Sequence, residues 1–215
     1  MGTGAEFIDL GTTGGFSWIA HPDEWMKRAS AALVVEDATF LVDPVDTPEL
    51  DERLAGSPPV RGVIRLLDRH GRDGDAVAAR LGVPLVAGYD RPGRLHPELI
   101  VFPVADGPGW HEAAIWIPGA RILMVAEAVG TVEYFLARSG DPLGVHPVIR
   151  LVPPRRAFTG LDPLVIAVGH GAPLSRDDAG AVLGRTLASA RCDLPRAWAH
   201  IVRRAWIARR SRSDP

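Results

Sequence analysis

Apolar positions come in short runs broken by polar turns, and the spacing changes along the chain between a strand period and a helix period. Ala31–Glu36 and Thr39–Val42 are β-rich runs separated by Asp37-Ala38, the pattern of a hairpin. Asp43-Pro44 ends the second run. Val63–Leu67 predicts a third strand, and Pro84–Ala87 and Leu99–Val104 two more short ones. Ala113–Ile117 and Ile122–Ala126 form a second hairpin around Pro118-Gly119, and Leu164–Val168 is a strand running into Gly169-His170-Gly171. Helical spacing falls on Glu49–Ala55, on Asp73–Leu81, on Thr131–Arg138, on Ser175–Ala190 and on Arg196–Arg210. In the second of these Val77, Ala78 and Leu81 share a face, with Asp73 placed as N-cap and Gly82 as the stop; in the fourth Ser175 is placed as N-cap. Strands this apolar need cover on both faces, so the order predicts an α/β protein: two packed sheets with helices outside.

Composition narrows the class. With 47% apolar and 23% charged residues the chain is globular, which excludes a disordered chain or a coiled coil. No repeat or long linker divides the 215 residues, so one domain over 1–215 is expected. No apolar run is long enough to cross a bilayer, no basic and apolar leader opens the chain, and Cys192 is the sole cysteine; together these predict a cytoplasmic protein without disulfides. A net charge of −2 gives no nucleic-acid footprint, and none is expected as a partner. Charge is uneven, however: a basic amphipathic helix is predicted at about 194–212. Trp198, Ile201, Val202, Ala205 and Trp206 form its apolar stripe, with Arg203, Arg204, Arg209 and Arg210 on the rest. Docking of that stripe on the body is expected. A homodimer contact would use the same stripe, and its arginines could meet a membrane surface or a nucleic-acid backbone.

Chemistry gathers in four polar turns at strand ends. They are Leu67-Asp68-Arg69-His70-Gly71-Arg72-Asp73, Gly109-Trp110-His111-Glu112, Ala126-Glu127-Ala128 and Gly169-His170-Gly171. Their order, with Leu41-Val42-Asp43-Pro44 upstream, resembles the metallo-β-lactamase superfamily, whose fold is a four-layer αββα sandwich. The resemblance runs from about Ala31 to Leu174. That family has a His-x-His-x-Asp-His loop, then a histidine, a bridging aspartate and a final histidine in a Gly-His-Gly turn. On that pattern the loop here reads Asp68-x-His70-x-Arg72-Asp73, His111 matches the middle histidine, Glu127 the bridging acid and His170 the last histidine.

The departures decide what the resemblance implies. It makes Asp68, His70, His111 and Glu127 one metal-binding set, suited to a single zinc, iron or manganese ion. The second set becomes Arg72, Asp73 and His170, and an arginine offers donors only, so it cannot ligate a cation. Arg72 is therefore expected in the second metal's place, neutralising Asp73 or Glu127. Two readings follow. One is a metal-dependent hydrolase acting on an ester, thioester, lactone or phosphoester, with Asp73 as base and Arg72 or His170 steadying negative charge. The other is a metal-free relative that binds a small molecule or a protein partner. Asp73 as a helix cap and Asp68 as a turn residue have ordinary structural explanations as well. Arg150, Arg155 and Arg156, in the Pro- and Arg-rich segment Asp141–Phe158, are candidates for reading an anionic substrate, with His146 beside them.

Overall fold

The computed structural model describes residues 4–11 and 15–210, with side chains described as far as Arg203. The first half supplies β1 (Glu6–Asp9), β2 (Phe16–Ile19), β3 (Ala29–Val35), β4 (Ala38–Val42), α1 (Leu50–Leu54), β5 (Val60–Arg65), α2 (Gly74–Leu81) and β6 (Leu85–Ala87). These six strands form one sheet in sequence order, antiparallel as far as β4 and parallel from β4 to β6. The second half supplies β7 (Gly93–His96), β8 (Leu99–Gly107), β9 (Trp110–Ile117) and β10 (Ile122–Val125). After a small ribbon of β11 (Val129–Gly130) and β12 (Gly144–Val145) come β13 (Val165–Val168), β14 (Leu174–Ser175), α3 (Ala179–Ser189) and α4 (Leu194–Arg210). The second sheet runs β14-β13-β10-β9-β8-β7, with β10 and β13 its parallel pair.

Strand alternation sorts side chains into three cores, and the three cores make four layers. Leu33, Phe40 and Ile64 of the first sheet meet Ile115, Ile122 and Met124 of the second between the sheets. Their neighbours one residue away point to the other faces. Leu41 and Val63 pack with Leu50, Val77 and Ala78 under α1 and α2. Leu123, Val125, Ile166 and Val168 pack with Leu183 and Leu187 under α3. This is the αββα sandwich expected from the sequence.

Local details differ from expectation at three places. Thr131–Arg138 is a series of turns, not a helix, closed by Phe135 N–H to Val132 O (2.9 Å) and Leu136 N–H to Glu133 O (3.2 Å). Gly144 lies so close to the Phe135 carbonyl that a Cβ there would collide with it. That close approach holds the segment against the β11–β12 ribbon. Ser175 does not cap α3; it pairs with Val165 in β14, and the helix begins after Asp178. In α4 Ala197 is buried while Trp198 and Val202 of the anticipated apolar stripe are 52% and 63% exposed. The helix is held by its polar side instead: His200 Nε2 lies 2.6 Å from Glu133 Oε2, and Arg196 reaches Asp193 at 3.1 Å. Positions 211–212 of the anticipated helix, and the side chains of Arg204, Ala205, Trp206, Arg209 and Arg210, lie outside the described residues. Among the described residues no helix is long and apolar enough to cross a membrane.

Candidate functional site

The site lies where chain ends of both sheets meet. The loop after β5 crosses to the second sheet: Ala113 N–H donates to Leu66 O (2.8 Å) and Asp68 N–H to His111 O (3.1 Å). Asp43, at the end of β4, anchors this loop. Its backbone is left-handed (φ 43°), a conformation that Asp tolerates better than most residues. Its buried Oδ1 accepts from Leu66 N–H (3.1 Å) and its Oδ2 faces His70 Nδ1 (2.8 Å). Burial opposes ionisation of Asp43, but the nearby His70 and Arg72 and the Leu66 N–H hold its carboxyl below the ordinary value. His70 therefore donates from Nδ1, and its buried Nε2 has no protein partner.

Arg72 fills the floor. Its guanidinium donates to the carbonyls of Ala29, Asp43 (3.1 Å) and Gly169 (2.8 Å), so it joins both sheets. Burial lowers its pKa, opposed by the charges of Asp43 and Glu127. His170 closes one wall, donating from Nδ1 to Met26 O (3.0 Å). It stacks on Phe135 (5.6 Å between centroids) and meets His70 edge-on (5.8 Å). Burial, then the charge of Arg72, pushes His170 down to about 3. Both flanking glycines are required: a Cβ at Gly169 would run into the Ala126 carbonyl oxygen, and Gly171 has φ +99° against Thr131.

Glu127 forms the opposite wall with Arg69 and His146. Arg69 donates to Glu127 Oε2 (3.2 Å) and lies 4.3 Å over the Trp110 ring. His146 Nδ1 accepts from Val148 N–H (3.3 Å), and its Nε2 is 3.6 Å from Glu127 Oε1. Its ring packs against Trp110, Tyr134 and Phe135, and burial, then Arg69, lowers it to about 4. Beneath them Glu112 is buried and accepts from Glu127 N–H (2.7 Å), Ala128 N–H (2.9 Å) and Trp110 Nε1–H (2.8 Å). Burial pushes its carboxyl up to about 7 against these three donors.

The resulting cleft of about 430 Å³ is lined by Arg28, Arg69, His70, Arg72, Glu127 and His170. A larger groove of about 990 Å³ shares Arg69 and runs past Trp110, Val148 and Val152 to Arg155 and Arg156.

Of the residues singled out from the sequence, His70, Arg72, Glu127 and His170 meet in this cleft. Asp68 is half-buried beside it, its Oδ1 4.0 Å from Arg69 Nε and without a hydrogen bond. His111 does not join them: strand alternation turns Trp110 and Glu112 inward and His111 outward, where its Nδ1 pairs with Asp106 at 2.7 Å. Asp73 is exposed at the start of α2. It caps no helix N–H and accepts instead from Asp46 N–H (2.9 Å). Nor does Arg72 neutralise Asp73 through a hydrogen bond; its donors go to carbonyls. Sequence reasoning passed over Asp43, Arg69, Trp110 and Glu112 as site residues. The available signals were the Asp-Pro pair after an apolar strand and the i, i+2 spacing of Trp110 and Glu112.

The site does not fit the two-metal set of the superfamily pattern. Two guanidinium groups, Arg69 and Arg72, sit among the candidate ligands, and each would repel a cation. Among the described residues the one group of three acidic or histidine side chains with all ligand atoms within 4.8 Å of one another is Glu36, Asp37 and His96, at the β3–β4 turn.

No protein-family model and no curated protein matches the sequence. Solved structures do. A metallo-β-lactamase from Hirschia baltica is 15% identical with a TM-score of 0.56, covering 87% of this chain and 98% of that one. The metallo-β-lactamase FIM-1 from Pseudomonas aeruginosa, in a mono-zinc form, is 14% identical with a TM-score of 0.58, covering 88% and 97%. A fragment of a putative diflavin flavoprotein from Nostoc sp. is 15% identical with a TM-score of 0.59, covering 93% and 98%. The chain thus has the metallo-β-lactamase fold with a divergent sequence.

Proposed function

We propose that this chain is a metal-independent protein of the metallo-β-lactamase fold that binds an anionic small molecule. The observation that carries this reading is Arg72, half-buried in the cleft floor, whose guanidinium donates to three carbonyls from three segments. A fixed cation there supplies the charge that would draw an anion. Arg28 and Arg69 line the same cleft, and Arg69 stands at its junction with the groove. The anionic group would sit over Arg28, Arg69 and Arg72, and an apolar body along Trp110, Val148 and Val152. Neutral His146, whose Nδ1 accepts from Val148 N–H, would give a hydrogen bond from Nε2 without adding charge, while the one N–H of neutral His170 is spent on Met26 O.

A second reading is favoured by two buried atoms without a hydrogen bond, His70 Nε2 and Asp68 Oδ1. On that reading one divalent ion is held by Asp68, His70 and Glu127, and it would supply an activated water for hydrolysis. One experiment separates the two. The protein is purified without chelator, assayed for metal by elemental analysis, then melted with and without EDTA against a panel of carboxylates and phosphates. The first reading expects no stoichiometric metal, no effect of EDTA and a raised Tm with an anion, lost in Arg28→Gln/Arg69→Gln. About one equivalent of metal, absent from His70→Ala, would overturn it in favour of the second.

A further inference from the structure

A second cleft lies between the Thr131–Gly144 loop, α3 and the start of α4. Its volume is about 500 Å³, and its lining includes Arg138, Arg150, Arg185 and Arg196 against the carboxylates of Asp141 and Asp193. Four cations against two anions leave it positive. Arg150 is the unusual member. It is 2% exposed, among the largest fully buried side chains of the protein. One of its terminal nitrogens donates to Phe135 O (2.6 Å), and its Nε has no partner. Neither acid makes a salt bridge to it. Asp193 takes Arg196 at 3.1 Å and Arg138 at 3.9 Å, and Asp141 accepts the Arg138 backbone N–H at 2.9 Å. Arg185 turns toward Asp178 at 3.3 Å. Burying a guanidinium without a paired anion is costly, and a planar fork of donors suits the oxygens of a phosphate.

We propose that this cleft is a phosphate-binding site distinct from the first, with Arg150 at its base and Arg138 and Arg185 at its rim. Arg196, already engaged by Asp193, completes the wall. The site rests on none of the residues of the first cleft, so either can fail alone.

Cys192 offers a local readout, because it is the sole cysteine of the chain, is exposed and lines this cleft. The protein is alkylated with neutral iodoacetamide in chloride, inorganic phosphate or glycerol phosphate at matched ionic strength. Phosphate at ten times its dissociation constant is expected to slow labelling roughly tenfold, since about nine-tenths of the sites are then filled. Protection by both compounds assigns the anion itself; protection by glycerol phosphate alone assigns an organic phosphate. Arg138→Gln/Arg185→Gln, at side chains 59% and 67% exposed, keeps the fold and should lose the protection. Arg150→Gln should lose it too, provided its melt remains cooperative. Labelling rates in inorganic phosphate and in glycerol phosphate that both equal the rate in chloride, or protection undiminished in the double variant, would overturn the proposal.

Discussion

Replacing Arg72 with methionine should remove a clasp between the two sheets at little change in side-chain length. Three carbonyl oxygens, of Ala29, Asp43 and Gly169, lose their shared donor, and the buried Asp43 carboxylate loses the nearby guanidinium charge. A hydrogen bond from a charged donor contributes about 1.5–3 kcal/mol, but the guanidinium also recovers its hydration on unfolding. Breaking a buried charged contact from one side typically costs about 3–5 kcal/mol, and about 4 kcal/mol is expected here. For a chain of this size that corresponds to a fall in Tm of about 8–16 °C. Arg72→Lys keeps the charge, but one ammonium cannot serve three carbonyls in a guanidinium's geometry, so its loss should be smaller, about half. Guanidinium chloride unfolding followed by tryptophan fluorescence, with EDTA present, gives the difference directly, and the m-value should not change. A methionine variant within about 1 kcal/mol of the parent would refute the clasp, because the three carbonyls would then have found other donors at no cost.

Stability against pH should reflect two opposed titrations. His146 and His170 titrate in the folded protein at about 4 and about 3, below the ordinary 6.5. Their contribution is full above pH 6.5 and is lost as pH falls, by about 1.4 kcal/mol per unit each. Glu112 titrates at about 7, above its ordinary 4.5, so its contribution is full below pH 4.5 and lost as pH rises to 7. From pH 6.5 to 4.5 the net slope is one histidine's worth, and Glu112→Gln should double it to about 2.8 kcal/mol per unit; an unchanged slope in urea titrations would contradict the assignment. Gly169→Ala should fail to give a cooperative melt, since its methyl meets the Ala126 carbonyl; a normal melt would show that the His170 turn can move. His111→Ala should stay within about 0.5 kcal/mol of the parent and leave anion binding at the first cleft intact, because its side chain pairs with Asp106 on the outer face. Loss of binding in that variant would restore His111 to the site.

The layers were legible in the sequence because strand periodicity is a direct imprint of burial. Ala31, Leu33 and Val35 go to one core and Ala32 to another, and the same two-residue period runs through β4, β9, β10 and β13. Capping was less legible. Asp73 and Ser175 have the right residue type at helix starts, yet one bonds to Asp46 and the other to a neighbouring strand. Within the site, the order of turns along the chain singled out His70, Arg72, Glu127 and His170, which line one cleft. It could not place His111, because a single-residue offset within β9 exchanges faces, and residue type alone favoured the histidine over Trp110. Asp43 and Glu112 act through contacts made across both sheets, and no short window of sequence contains those partners.

The three acceptors of Arg72 also set an order of assembly. Ala29 and Asp43 leave the ribosome before Arg72 does, but Gly169 follows it by 97 positions. The floor of the cleft therefore closes late, after the second sheet has formed and docked through β13, and a nascent chain that ends short of Gly169 carries the guanidinium with one acceptor missing. An anion held over Arg72 would therefore meet a chain whose two sheets are already joined, a requirement that a binding surface confined to one sheet could not impose.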